Sequence, residues 1–320
     1  MKKYDVTALG ELLVDFTENG LSENGNPLLE ANPGGAPCNV LAMLSKLGKN
    51  TAFIGKVGTD SFGEMLKNAA EDAGIDISGV TENPQVHTTL AFVHTLANGE
   101  REFSFYRNPG ADMTLCESDI RVEFIENSSI FHFGSLSLTD EPCRLATEKA
   151  VNFAKSSGAA VSFDPNLREP LWKDLDEARE RIEYGLSVCD ILKISDNEIE
   201  WFMNDGDYYS AAVRLKKQYN IPLVFVTLGK DGSMAFSDAA HAKHSGYNVG
   251  SIEATGAGDT FTGCVLDYIV EKGFYSYSET ELGEMLSFAN AAAALITTRK
   301  GALKVMPSRG EIERLMKNNL

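Results

Sequence analysis

The sequence offers no metal or disulfide framework. Its five cysteines (Cys38, Cys116, Cys143, Cys189, Cys264) are odd in number and widely spaced, with no C-x-x-C pair, and read as reduced, mostly buried thiols. His241-x-x-His244 has no third ligand nearby and reads as a pair of surface histidines. Basic residues are scarce: 29 Lys and Arg face 46 Asp and Glu, a formal charge of −17. That balance argues against a nucleic-acid partner or an anionic membrane surface, and any anionic substrate must be held by local positive groups. No apolar run approaches the length of a membrane span. Met1-Lys2-Lys3 leads into the alternating Tyr4-Asp5-Val6-Thr7 in place of a signal core, so a cytoplasmic location is expected. The phosphate-binding pattern G-x-x-x-x-G-K-[ST] is absent, as are the H-R-D and D-F-G sets. Internal repeats, low-complexity runs and Pro/Ser linkers are absent too, which points to one domain over residues 1–320.

What is present is enough apolar material, 43% of 320 residues, for one large α/β core. Tyr4 to Gly10 reads as a buried first strand. Ile130 to Phe133, Ala159 to Phe163, Asp190 to Ile194 and Leu223 to Thr227 read as further strands. Helical patterns at Val40 to Leu47, Phe62 to Gly74, Glu141 to Ser156, around Glu198 to Phe202 and at Tyr208 to Tyr219 complete βαβ units, which imply a mostly parallel sheet covered on both faces. Two stretches break the pattern. Residues after Asp15 turn polar and rich in Asn and Gly, and Thr88 to Leu96 and Arg101 to Arg107 alternate around Asn98-Gly99, a strong hairpin signal. Insertions at about 14–33 and 87–110 are therefore expected to form a small antiparallel sheet standing over the main one as a lid.

Chemistry is expected where Ala254-Thr255-Gly256-Ala257-Gly258-Asp259 runs into a helix with the apolar stripe Phe261, Val265, Leu266, Ile269 and Val270. Small residues at Gly256, Ala257 and Gly258 let the first amides converge on an anion at the positive end of the helix dipole. Asp259 either caps the helix or faces a group with a proton to give up, such as a hydroxyl. Gly34-Gly35, opening an earlier helix, permits close backbone approach, and Asn39 one turn in can both donate to and accept from hydroxyls. Polar residues gather at strand exits, where α/β sheets bind ligands: Asp15, the run Asp164 to Arg168, Lys193 to Glu198, and Thr227 to Gly232. Each of these is turn chemistry or a ligand contact. Arg168 has the fork of donors that pins a phosphoryl group, Glu198 suits a Mg²⁺ held through water, and Thr227 and Gly229 suit nucleotide phosphates or ribose. Phe105 packs over a substrate or over a second copy of the lid, and Arg107 is placed to reach a polar substrate.

Gly34-Gly35 with Asn39, Thr227-Leu228-Gly229-Lys230-Asp231-Gly232, and Gly256-Ala257-Gly258-Asp259-Thr260-Phe261, in that order, resemble the signatures of the ribokinase-like (pfkB) carbohydrate kinases over essentially the whole chain. Asp164 to Arg168 with Leu171-Trp172, Gly10 to Asp15, and Phe105 to Arg107 are most similar to the fructokinase branch. The resemblance implies a Rossmann-like three-layer αβα sandwich with a β-sheet lid. It also implies ATP and Mg²⁺ as cofactors, and transfer of the γ-phosphoryl group to a primary hydroxyl, D-fructose giving fructose 6-phosphate. Asp259 would be the base, the amides of Gly256, Ala257 and Gly258 would meet the phosphoryl oxygens, and Arg168 would assist. Asp15, Gly34, Gly35, Asn39, Phe105 and Arg107 would line the sugar site. Lys193, Ser195, Thr227, Gly229, Gly232 and Asn290 would border the nucleotide. Ser195 stands where the family often has Asn in N-x-x-E, and Glu253 where many relatives have Asp. In the family the latter neighbourhood, with Thr255 and the Thr297 to Gly301 segment, holds a monovalent cation, K⁺. A homodimer through the lid is a further expectation. Two alternatives stand beside the fructokinase reading: a 2-keto-3-deoxygluconate kinase, in which Arg107 and Arg168 serve a carboxylate, and a sugar-binding sensor without catalysis.

Overall fold

The computed structural model describes residues 2–95 and 101–318; the predicted Asn98-Gly99 turn and Leu96 lie outside them. In chain order the strands and helices begin β1 (Tyr4–Leu9), β2 (Leu13–Leu21), β3 (Pro27–Gly34), α1 (Ala36–Lys46), β4 (Thr51–Gly58), α2 (Ser61–Asp72), β5 (Ile75–Asn83), β6 (Leu90–Thr95) and β7 (Arg101–Tyr106). There follow α3 (Val122–Glu126), β8 (Ser128–Gly134), α4 (Cys143–Ser156), β9 (Ala160–Asp164), α5 (Leu175–Val188), β10 (Ile191–Ser195), α6 (Asp196–Met203) and α7 (Tyr208–Tyr219). The chain closes with β11 (Leu223–Thr227), β12 (Ser233–Phe236), β13 (His241–His244), α8 (Ala257–Lys272), α9 (Glu279–Ile296) and α10 (Arg309–Asn318).

Nine strands form one sheet in the order β13-β12-β11-β10-β9-β8-β1-β4-β5, all running in one direction except β12, which pairs antiparallel with both β11 and β13 at one edge. Strand β11 shows why both faces are covered. Leu223 and Phe225 enter one hydrophobic cluster while Val224 and Val226 enter the other, the alternation a pleated strand imposes. Apolar residues of α1, α2, α8, α9 and α10 complete the first cluster, and those of α3 to α7 complete the second. The result is an αβα sandwich, the layered solution for a sheet that is apolar on both sides.

A second, four-stranded sheet runs β3-β2-β6-β7. It is mixed and not purely antiparallel: β2 pairs antiparallel with β3, and β6 with β7, but β2 and β6 are parallel, with Val14 opposite Leu90 and Phe16 opposite Phe92. The difference from the expectation is topological. Each insertion is a hairpin, but the strands by which they join enter the small sheet in the same direction. Phe16 stacks on Phe92 at 5.0 Å and meets Phe62 of α2 edge-on at 5.6 Å, which fastens this sheet to the sandwich. It also carries exposed apolar side chains at Leu21, Leu28, Leu29 and Tyr106. All five cysteines are free thiols, four of them buried. Among the described residues no helix is long and apolar enough to cross a membrane.

Candidate active site

The parallel strands deliver their carboxyl ends to one edge, where β9 stops at Asp164, β10 at Ser195 and β11 at Thr227, with Ser195 and Thr227 in register. Helix α8 begins at that edge. Gly256, in the left-handed region at φ 76°, turns the chain so that the helix starts at Ala257 with no side chain capping it. A helix has no internal partners for its first N–H groups, so the amides of Gly258 and Asp259 face outward from the first turn. The Ala257 amide is partly engaged, donating to the Ala254 carbonyl at 3.3 Å.

Asp259 is 9% exposed, and its Oδ2 accepts a 2.8 Å hydrogen bond from Asn39 Nδ2. Burial pushes the Asp259 carboxyl above its ordinary value; the Asn39 bond and the charges of Lys193 and Arg168 pull the other way and only partly offset it. Asn39 comes from α1, which opens at Gly35 (φ 123°), tight against the backbone of Glu11, and whose first amide, that of Ala36, donates to Glu11 Oε1 at 2.7 Å. With Nδ2 committed to Asp259, Asn39 Oδ1 is buried without a partner. A buried acceptor left bare is costly, so this atom awaits a donor.

A cavity of about 400 Å³ opens over these groups. It is lined by Asp15, Gly35, Asn39 and Phe105 at one end, Thr227, Gly229, Gly232 and Asn290 at the other, and Arg168, Lys193, Ser195, Glu198 and Thr255 to Asp259 between. Gly34 lies just behind the wall, packed on the Asp15 carboxyl.

Arg107 is elsewhere. Its guanidinium is 5% exposed and spends its donors inward, on Asp112 Oδ2 at 2.8 Å, Thr139 Oγ1 at 3.0 Å and the Leu136 carbonyl at 3.0 Å. The loop after β7 doubles back and brings Asp112 under it, so the expected reach toward a substrate is corrected to a strut behind the cavity wall. Glu198 faces the cavity but is closely held: Oε1 accepts the Leu167 amide and Oε2 the Ser195 amide and hydroxyl, each at 2.8 Å. Burial acts to raise its pKa, yet the Lys193 charge and those amides keep it below the ordinary range. Ser195 thereby serves as the N-cap of α6 in a reciprocal capping box. Asn290 accepts from Ser233 Oγ at 3.0 Å. Glu253, Thr297 and Gly301 sit beside the cavity and bond among themselves. Glu253 Oε2 accepts the Gly301 amide at 3.1 Å, and the Thr297 carbonyl accepts the amides of Ile252 and Glu253 at 2.8 and 3.0 Å. Both lone pairs of that carbonyl are taken, so Thr297 does not fit a cation-ligand role in this arrangement.

Two residues escaped the sequence reading. Glu11 lines the cavity and is 4% exposed, its carboxyl pushed up to about 7 chiefly by burial. Asp164 is 3% exposed and holds Lys193 Nζ with both oxygens, at 3.2 and 3.1 Å. Each lay inside a run named above, Gly10 to Asp15 and Asp164 to Arg168, and was given no role of its own; the signal for both is an acid close to the exit of a buried strand.

Uncapped helix amides able to receive an anion, beside a buried carboxyl bonded to an amide side chain, suit transfer of a charged group to a hydroxyl, and the crevice lies where nucleotide-binding α/β sheets hold their ligands. Residues 3–309 match the model of the pfkB family of carbohydrate kinases, and the chain belongs to that family. It is 41% identical over 305 residues to probable fructokinase-3 of Arabidopsis thaliana, covering 95% of this chain and 88% of that one. It is 39% identical over 314 residues to fructokinase-2 of Solanum lycopersicum, covering 98% and 96%. Among solved structures, fructokinase from Vibrio cholerae O395 with fructose, ADP and calcium bound superposes with a TM-score of 0.89 at 30% identity, covering 98% and 99% of the two chains. Fructokinase with bound ATP from Xylella fastidiosa gives 0.90 at 30%, covering 100% and 99%.

Proposed function

We propose that this chain transfers the γ-phosphoryl group of ATP to the primary hydroxyl of a neutral hexose, D-fructose, giving fructose 6-phosphate. The observation that carries the reading is the Asp259–Asn39 pair set beside the first turn of α8. The bare Asn39 Oδ1 takes a sugar hydroxyl as donor, and Asp259 orients the attacking hydroxyl and accepts its proton. Phosphoryl transfer is loose in its transition state, so the base acts mainly by positioning and receives the proton late; the raised affinity of Asp259 for a proton suits that. Charge on the transferring oxygens meets the amides of Gly258 and Asp259 and the side chain of Arg168. Thr227, Gly229, Gly232 and Asn290 border the nucleotide. A magnesium ion, supplying charge neutralisation to the phosphates, would meet Glu198 through its water shell, because that carboxylate already accepts three hydrogen bonds.

The reading favours a neutral sugar over an acid sugar. Arg107, half of the case for a carboxylate substrate, is neutralised by Asp112, and the sugar end of the cavity carries Glu11, Asp15 and Asp259 instead. Substrate-dependent ADP release across fructose, ribose, adenosine and 2-keto-3-deoxygluconate tests this. Fructose is expected to give the highest kcat/KM; preference for the keto acid would replace the assignment, and tight sugar binding with no turnover would restore the sensor.

A further inference from the structure

We infer that Asp164 is a positioning residue, fixing the Lys193 ammonium against the anion-binding turn so that it contacts the phosphoryl oxygens of the bound nucleotide. The inference rests on the kinase reading above and adds to it a part that no glycine-and-Asp signature contains.

The two residues come from adjacent parallel strands, Asp164 ending β9 and Lys193 standing two residues before the end of β10. Lys193 is only 8% exposed, yet it lines the cavity, so its one open side is the side a ligand would occupy. Its Nζ lies where a side chain on residue 258 would have to go, 3.0 Å from the position of a Cβ there. The ammonium is therefore in contact with the backbone whose N–H groups form the nest. An ammonium has three protons; Lys193 donates to Asp164 Oδ1 at 3.2 Å and stands in ion-pair contact with Oδ2 at 3.1 Å, which leaves donor capacity for a group in the cavity.

Charge balance gives this arrangement a purpose. The cavity wall carries five acids, Glu11, Asp15, Asp196, Glu198 and Asp259, against two cations, Lys193 and Arg168. A polyphosphate entering such a cavity on a chain of net charge −17 needs each of those cations in place. A lysine on a four-carbon stem is mobile unless held, whereas transition-state stabilisation requires the donor to be placed before the charge develops. Asp164 supplies that constraint. A purely structural ion pair is the competing account, but buried pairs contribute little net stability compared with apolar side chains of equal size, which makes the cavity edge a poor place for one without another role.

The test uses the full chain and three variants: Lys193→Met, Asp164→Asn and the double variant. Calorimetric affinity is measured for ADP and for adenosine, with kcat alongside. Lys193→Met is expected to lose at least about tenfold in ADP affinity and about 100-fold in kcat while adenosine affinity holds. Asp164→Asn is expected to lose part of both, and the double variant no more than Lys193→Met alone, because Asp164 acts only through the lysine. If Asp164→Asn, with its unpaired buried cation, does not fold, the double variant carries the same comparison without that charge. ADP affinity and kcat unchanged in folded Lys193→Met, equal loss of ADP and adenosine, or additive losses in the double variant would each overturn the inference. Failure of the unmodified chain to bind ADP at all would instead remove the kinase reading beneath it.

Discussion

Two helices in this molecule begin in the same way and end up with different work. Helices α1 and α8 both open at a glycine of positive φ (Gly35 at 123°, Gly256 at 76°), both continue with alanine, and neither has a side-chain cap at that glycine. In α1 the first amide is satisfied from within, by the Glu11 carboxyl at 2.7 Å, so the positive end of the helix becomes a joint between β1, the small sheet and the sandwich. In α8 the first turn faces a cavity, and the acid nearby, Asp259, points its carboxyl to Asn39 and the opening rather than to its own amides. One local device is thus structural or functional according to whether the protein itself supplies the negative charge. The 2.8 Å Asn39–Asp259 bond ties the two starts together.

The largest effect is expected from Asp259→Asn. Asparagine can still accept from Asn39, so the link between the helices is kept while the proton acceptor is lost. Turnover should fall by about 10³-fold, with the melting temperature and ADP affinity nearly unchanged. Activity within tenfold of the unmodified chain would show that the α8 start needs no base.

The glycines separate the two roles more finely. Alanine at Gly35 would strain a backbone at φ 123° and drive a Cβ to 2.3 Å from the Glu11 backbone carbonyl oxygen, while alanine at Gly256, in the left-handed helical region at φ 76°, meets a side-chain methyl, the Ala302 Cβ, at 2.7 Å. Gly35→Ala should therefore act on folding, at a cost of about 3–5 kcal/mol in denaturant unfolding. Gly256→Ala should act on the reaction, about 10²-fold in kcat through misplaced amides, with a smaller stability loss. The reverse ranking would break the distinction.

How much of this was legible in the sequence follows from the range of the interactions involved. The alternation of Leu223 to Val226 and the helical stripe after Asp259 are local, and both sheet and helix are where they were expected. The same holds for the residues that line the cavity from strand exits, because a parallel sheet brings its carboxyl ends together whatever the loops do. The start of helix α9 is local as well, marked by the Ser278–Glu281 capping box. Three features were not local. The parallel pairing of β2 with β6 depends on how two distant insertions meet. Arg107 reads as a free cation until the return loop places Asp112 against it. The Asp164–Lys193 pair exists only because β9 and β10 are neighbours, which periodicity does not say.

The smallest effect sharpens the α1 side of the comparison. Glu11 sits at the positive end of a helix, which favours its charged form, yet burial wins and lifts its carboxyl from 4.5 to about 7. A carboxyl whose folded pKa exceeds its unfolded one binds protons more readily in the folded chain. Its contribution to stability is then complete below about pH 4.5 and is lost as pH rises through about 7. Glutamine keeps an oxygen for the Ala36 amide and does not titrate. Glu11→Gln should match the unmodified chain at pH 5 and exceed it at pH 8 by on the order of 2 kcal/mol in denaturant unfolding. Asp164, whose carboxyl is also pushed up by burial and pulled back by the Lys193 charge, is present in both proteins and cancels in the comparison. Equal stability differences at the two pH values would mean that Glu11 stays charged in the folded chain and supplies the α1 start with a full negative charge.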